Sequence, residues 1–198
     1  MGATAAIGSL EDVDLLVSTF TGADAVYCMV PPNNYFDLNL DLLAYYRRLG
    51  NNYMQAIRQS GVKRVVNLSS IGAHLDKGSG IILGAHDVEQ MLNELSSEVA
   101  ITHLRPTSFY YNLFGYVEMI KVAGSIAANY GADHIIPWVS PIDIAAAIAK
   151  EIVLDYLILV RLSSPKPMVV YLIVSISDKV AVRRTAGTSS CAISRACS

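Results

Sequence analysis

Three short runs rich in apolar residues, Ala25–Val30 (AVYCMV), Val62–Leu68 (VKRVVNL) and Val99–Leu104 (VAITHL), constrain the fold of this chain most. Each has the length of a strand, and none alternates apolar with polar as a strand with one wet face would. Segments of helical character separate them. Asp12–Phe20 carries apolar residues at Val13, Leu15, Leu16 and Phe20, and Ser9 with Asp12 three residues on reads as a capping box at its start. A second helix is expected from about Leu40 to Gln59, with Leu42, Leu43, Leu49, Met54 and Ile57 on its apolar face and Ser60-Gly61 closing it. A third is expected at about Ala85–Leu95, after the glycine-rich loop Lys77-Gly78-Ser79-Gly80. Ser140 as N-cap, Pro141 at N1 and Asp143 at N3 open a fourth, which a run of alanines carries to about Ile152. Such alternation predicts a parallel α/β sheet. Ligands of such sheets sit beyond the carboxyl ends of the strands. Those ends are Val30-Pro31-Pro32-Asn33, Leu68-Ser69-Ser70-Ile71 and Leu104-Arg105-Pro106-Thr107.

The chain of 198 residues fits one domain, or one domain with an extension. With 53% hydrophobic and 16% charged residues it is too apolar for a disordered or linker protein. A formal charge of −2 gives no electrostatic reason to expect nucleic acid or an anionic membrane as a partner. Cys28, Cys191 and Cys197 are odd in number and lack metal-ligand spacing, and His74, His103 and His134 show none with Cys, Asp or Glu. A reduced, cytoplasmic setting and no metal are expected. The start lacks the basic and apolar regions of a signal peptide. The longest apolar stretches, Ile152–Val160 and Met168–Ile176, fall short of the ~20 residues of a membrane-spanning helix.

Taken in order and spacing, GADAVYCMVPPN, GVKRVVNLSSIGAH, GAHDVEQML, ITHLRPTSFYYN and SPIDIA resemble the NmrA-like group of atypical short-chain dehydrogenase/reductases, from roughly Ile7 to Ile152. The resemblance implies a Rossmann domain binding NAD or NADP. It also implies either reduction of small carbonyl or quinone-like substrates, or a regulatory, dinucleotide-sensing role. In that arrangement a glycine turn, two helices and two further strands precede the segment resembling IGSLEDVDLL. Gly2–Gly8 (GATAAIG) has only Met1 before it, and Ala5 stands where a middle glycine belongs. Gly8 is also too close to Ala25 for a βαβ unit of about 30 residues. GATAAIG therefore reads as a third strand and its exit, and the first βαβ unit, with its pyrophosphate turn and ribose-reading residue, is expected to be lacking. The expected architecture is a Rossmann-like parallel sheet flanked by helices and incomplete at its N-terminus. Residues 1–152 would form the core and 153–198 an atypical segment, read as an altered tail such as a reading-frame change would produce. A sheet edge left open in this way favours homo-oligomers.

Site residues follow from the same resemblance. Val30, Pro31, Pro32 and Asn33 would border the adenosine and ribose side of a cofactor; a strand-ending turn explains the two prolines equally well. Ser69 and Ser70 fall where these enzymes present a hydroxyl to a substrate carbonyl, which it polarises as hydride arrives. Two serines ending a strand is the plainer alternative. Leu68 excludes a G-x-S-x-G nucleophile turn. None of the eleven tyrosines belongs to the Y-x-x-x-K motif of short-chain dehydrogenases. His86 stands at the equivalent helix start, as a ribose ligand or acid/base, or as an exposed first-turn residue. Pro106 and Thr107 would border the nicotinamide, while Phe109 and Asn112 would shape the substrate pocket. Phe109, Tyr110, Tyr111, Phe114 and Tyr116 otherwise read as an ordinary aromatic core cluster. Gly78–Gly84 reads as a loop over the site, and Asp143 as a helix cap. Ser70 and His86 are thus the catalytic candidates. The expected partner is a small-molecule substrate or a dinucleotide. The competing readings are a non-catalytic sensor or protein-binding module, and a shortened relative that binds no cofactor.

Overall fold

A computed structural model describes residues 4–33, 37, 39–95, 97–128 and 136–153, together with the backbone of two later strands, Met168–Val174 and Val180–Ala186. Strands β1 (Val26–Met29), β2 (Arg64–Leu68) and β3 (Ala100–Pro106) coincide with the three apolar runs. They lie side by side and parallel, in the register Met29↔Leu68↔Leu104. A short pair, β4 (Ser108–Phe109) and β5 (Trp138–Val139), forms a separate parallel ladder. The strands Met168–Val174 (β6) and Val180–Ala186 (β7) extend the main sheet, whose order is β1-β2-β3-β6-β7. β6 runs parallel to β3, and β7 returns antiparallel to β6.

Helices cover the sheet unevenly. On one face α1 (Val13–Phe20), α2 (Leu42–Ser60) and α3 (Ile82–Asn93) pack against Val26, Cys28, Val65 and Ile101, with Leu16, Phe20, Leu49, Ile57, Val88 and Leu92 as their buried contribution. On the other face α5 (Pro141–Val153) sets Ile144 and Ile148 against Leu68, Leu104, Phe109 and Val139. β3 is buried along its whole length, as a strand between two layers must be. β1 is not: Val26 and Cys28 are buried, whereas Tyr27 and Met29 are 38% and 36% exposed. Among the described residues, nothing pairs with its outer edge.

Local chemistry moves several element ends from their expected places. α1 starts after Asp12, whose carboxylate accepts the Leu15 N–H at 3.0 Å. Ser9 belongs to the preceding turn, where its hydroxyl accepts the Glu11 N–H and its carbonyl the Asp12 N–H. α2 is capped the same way by Asp41 and closed by Gly61 in the left-handed conformation, φ 73°. α3 begins at Ile82 rather than Ala85 and so includes Gly84. A Cβ on Gly84 would lie 2.5–3.0 Å from the Tyr46 side chain, so the absence of one lets α3 approach α2 closely. β3 continues through Pro106, whose carbonyl accepts the Ile71 N–H at 2.9 Å. The expected strand at GATAAIG is not formed over its described part. Thr4–Gly8 is exposed and lies outside the sheet, where its backbone has no neighbouring strand to bond. Met1–Ala3 lie outside the described residues, as does most of the segment after Val153.

The aromatic core expected around Tyr110–Tyr116 is not a core. These residues form a 3-10 helix leading into α4 (Val117–Ala123), and no residue of either is buried. Tyr111 and Phe114 are 63% and 69% exposed, with ring centres 5.8 Å apart. Tyr110 stacks on Trp138 of β5 with ring centres 6.3 Å apart, while Tyr111 and Phe114 stand in the open.

Candidate functional site at the strand ends

The register that aligns Met29, Leu68 and Leu104 also aligns the residues that follow them. Val30, Ser69 and Arg105 stand at one level, then Pro31, Ser70 and Pro106 at the next. Pairing persists past β2: the Ser69 N–H donates to Leu104 O at 2.7 Å and the Ile71 N–H to Pro106 O. At the end of β1 the Tyr53 hydroxyl of α2 donates to Met29 O at 2.6 Å, and burial pushes this phenol above its ordinary range.

Strand parity gives the two serines different surroundings. Ser69 turns toward the α3 face, and its hydroxyl donates to a carboxylate oxygen of Glu89. Of the two serines expected near a substrate carbonyl, Ser69 is thus engaged with Glu89, and Ser70 is the catalytic candidate. Ser70 is half-buried, and its hydroxyl donates to Ile71 O at 3.1 Å. His86 is half-buried on α3, and its Nδ1–H donates to Ala73 O at 2.9 Å. That bond fixes the tautomer and leaves Nε2 as the free acceptor of the neutral ring. Val30 and Pro31 are half-buried at the end of β1, while Pro32 and Asn33 are exposed.

Thr107 is 4% exposed, and its Oγ1 has no hydrogen-bond partner among the described residues. A buried hydroxyl left unbonded costs free energy until a partner arrives. Phe109 lines an apolar groove of about 420 Å³ with Tyr27, Met29, Leu68, Ile144 and Ile148, between the sheet and α5. Asn112 does not join it; it is exposed on the 3-10 helix. The loop at Gly78–Gly80 is turned by Gly78 and Gly80 at φ 76° and 58°.

Two buried polar groupings escaped the sequence reading. Glu89, 1% exposed, pairs with Arg105 on β3 and accepts from Ser69. His103, fully buried, accepts from Asn67 Nδ2 at 3.1 Å and donates from Nε2 to Asn93 at 2.8 Å. Burial holds this imidazole down to about 4. A signal for both was available. His103 and Arg105 are ionisable residues inside a buried strand, and buried charges or amides demand partners. Among the described residues no group of His, Cys, Asp or Glu could hold a metal ion, and no helix is long and apolar enough to cross a membrane.

A nicotinamide dinucleotide can be set against this geometry. The polar side-chain groups at these strand ends that could hold it are the Ser70 hydroxyl and the Thr107 hydroxyl, the latter without a partner among the described residues. Among the described residues no glycine turn carries a strand into a helix to receive the pyrophosphate, and α1 and α2 begin with the carboxylates of Asp12 and Asp41.

Solved structures share the fold. An NADPH-dependent quinone oxidoreductase from Escherichia coli, in complex with NADPH, superposes with a TM-score of 0.62 at 20% identity, covering 76% of this chain and 48% of that one. A triphenylmethane reductase from Citrobacter sp., in complex with NADP(H), gives 0.58 at 19% identity, covering 72% and 46%. A nucleoside-diphosphate-sugar epimerase from Staphylococcus aureus gives 0.56 at 18% identity, covering 71% and 47%. The chain thus spans about half the length of the solved structures it matches. No curated protein matches it. Residues 1–152 match the model of an NAD(P)H-binding family, in line with the resemblance carried by AVYCMV, NLSSIGAH and LRPTSF, and the chain belongs to that family.

Proposed function

We propose that this chain binds the nicotinamide end of NAD or NADP beyond β1, β2 and β3, and that its lineage is that of reductases acting on small carbonyl or quinone-like substrates. The observation that carries the reading is the alignment of three strand ends beside a buried Thr107 hydroxyl that has no hydrogen-bond partner among the described residues. Family membership and the reductase-like fold support it. Thr107 and the carbonyl of Pro106 would hold the carboxamide, and Val30, Pro31, Pro32 and Asn33 would border the remainder of the dinucleotide. When bound in reduced form, the group supplies a hydride.

The chain's own residues would do the rest. Ser70 Oγ–H, released from Ile71 O, donates to a carbonyl oxygen as negative charge develops there. His86, held through Nδ1–H, would deliver a proton to that oxygen only as the imidazolium, from Nε2. Phe109 presents an aromatic wall to a flat substrate, and Asn112 stands exposed on the following 3-10 helix. The test is NADPH oxidation with simple quinones, followed by loss of nicotinamide absorbance. Ser70→Ala and His86→Gln are each expected to lower turnover about 10²-fold if both act in the chemical step. Turnover unchanged in both variants would remove these roles.

A second reading, a dinucleotide sensor or protein-binding module, draws on a different observation. Tyr111, Phe114, Ile120 and Val122 expose apolar side chains on consecutive short helices, and exposed patches of this kind mark contact surfaces. The absence of Y-x-x-x-K favours the same reading. Saturable NADPH binding without turnover of any quinone would select it. Absence of binding would leave the third reading, a relative that holds no cofactor.

A further inference from the structure

Behind the strand ends lies a buried charge cluster with no part in the chemistry above. Glu89 projects from α3 one turn after His86 and is 1% exposed. Arg105 Nε donates to its Oε1 at 2.8 Å, a second guanidinium nitrogen reaches Oε2, and the Ser69 hydroxyl also donates to Oε1. One carboxylate therefore grips the residue just past β2 and the penultimate residue of β3, and ties both to α3. The backbone bonds Ser69 N–H to Leu104 O and Ile71 N–H to Pro106 O run directly beside it. Each anchored residue has a candidate site residue as its chain neighbour. Ser70 follows Ser69, Pro106 and Thr107 follow Arg105, and His86 precedes Glu89 on the same helix.

A buried ion pair of this kind adds little net stability over well-packed apolar side chains, but its geometry is fixed. We propose that Glu89 is a positioning residue: through Ser69 and Arg105 it sets the mouth at which Ser70, His86, Pro106 and Thr107 meet the nicotinamide end of a dinucleotide. The inference rests on the dinucleotide reading for its consequence, and on the cluster alone for its structural content. Glu89 touches no ligand atom in this scheme. It acts by holding strand ends in register at the level where the ladder gives way to loop.

The test uses the purified chain and two variants, Ser69→Ala, which removes one hydroxyl and leaves the ion pair, and Glu89→Gln, which neutralises the carboxylate. The first readout needs no cofactor. Amide hydrogen exchange at Ser69 and Ile71 is expected to rise at least about tenfold in each variant, while Val65 and Val66 change less than about threefold. A uniform rise at all four amides, or none at the strand ends, would overturn the proposal by reducing the cluster to general stability or to nothing. The second readout is the NADPH dissociation constant from nicotinamide fluorescence, expected to weaken at least about tenfold in Ser69→Ala, a change of about 1.4 kcal/mol. Unchanged affinity would likewise overturn it. If the unaltered chain binds neither NADPH nor NADH, the dinucleotide reading has failed, and the exchange pattern alone decides the positioning role. Should Glu89→Gln not fold, Ser69→Ala carries both readouts.

Discussion

His103 shows at the scale of one residue how far burial can dictate chemistry. It lies on β3 under α3, with Asn67 and Asn93 satisfying its two ring nitrogens, and Glu89 and Arg105 are the charged groups nearest to it in effect. Burial is the largest influence and lowers its proton affinity; Arg105 lowers it further, and Glu89 opposes both. Its folded value of about 4 lies below the ordinary 6.5. The unfolded chain therefore takes up a proton that the folded chain refuses as pH falls below 6.5. Stability from this group is fully present above that pH and is lost progressively toward pH 4, by an amount on the order of 3 kcal/mol. Urea unfolding at pH 7.0, 5.5 and 4.5 should reveal the slope, and His103→Leu should flatten it. An unaltered slope in the variant would assign the acid sensitivity to other groups. Cys28 illustrates the same rule with opposite sign: burial pushes its thiol up to about 12. Peptide mapping after brief iodoacetamide treatment of the native chain should find Cys28 unmodified, because the thiolate is the reactive form. The sequence signalled that positions such as His103 need partners but not which residues supply them. The strings VVNL and THLR display Asn67, His103 and Arg105, but only packing reveals that Asn93 and Glu89 on α3 meet them.

At the scale of elements, helix–helix contact turns on the glycines that permit it. Gly84 faces the Tyr46 side chain, including its Cβ, and Gly50 faces Met91 and Val88, so α2 and α3 meet where side chains are missing. Gly84→Ala would force a Cβ to within 3.0 Å of Tyr46 and is expected to cost about 1–3 kcal/mol, seen as a lower urea midpoint with unchanged slope. A gain in stability would mean that Tyr46 swings aside and that helix propensity decides instead. The element pattern itself was largely legible. AVYCMV, VKRVVNL and VAITHL could hardly be other than buried strands, and Gly61 and Ser140-Pro141 marked helix ends by their own chemistry. What sequence could not reveal was competition between equally good local signals. Ser9 read as the cap with Asp12 as its capping-box partner, and Asp12, whose carboxylate reaches the Leu15 N–H, took the role. Pro106 read as a stop, yet its carbonyl suffices to prolong pairing with the segment after β2. Tyr110–Phe114 read as core because aromatic residues are usually inside, whereas their surroundings depend on what packs above the sheet.

For the molecule as a whole, the uneven coverage of β1 governs behaviour. Its outer edge is unpaired among the described residues, and Tyr27 and Met29 stand partly exposed beside the groove under α5. Open strand edges of this kind recruit further strands. Self-association through β1 is the expected result, measurable by sedimentation velocity, with Tyr27→Lys shifting the distribution toward monomer. A monodisperse monomer at high concentration would contradict it. The proposed dinucleotide site lies at the carboxyl ends of the same strands. The measurement that bears most directly on the central claim is a titration of NADPH, and separately NADH, into the purified chain, followed by thermal unfolding and nicotinamide fluorescence. Saturable binding with at least one of them is expected, with a stabilisation of about 2.7 kcal/mol at a hundredfold excess over Kd. No response to either, from protein shown to be folded by its cooperative unfolding, would contradict it.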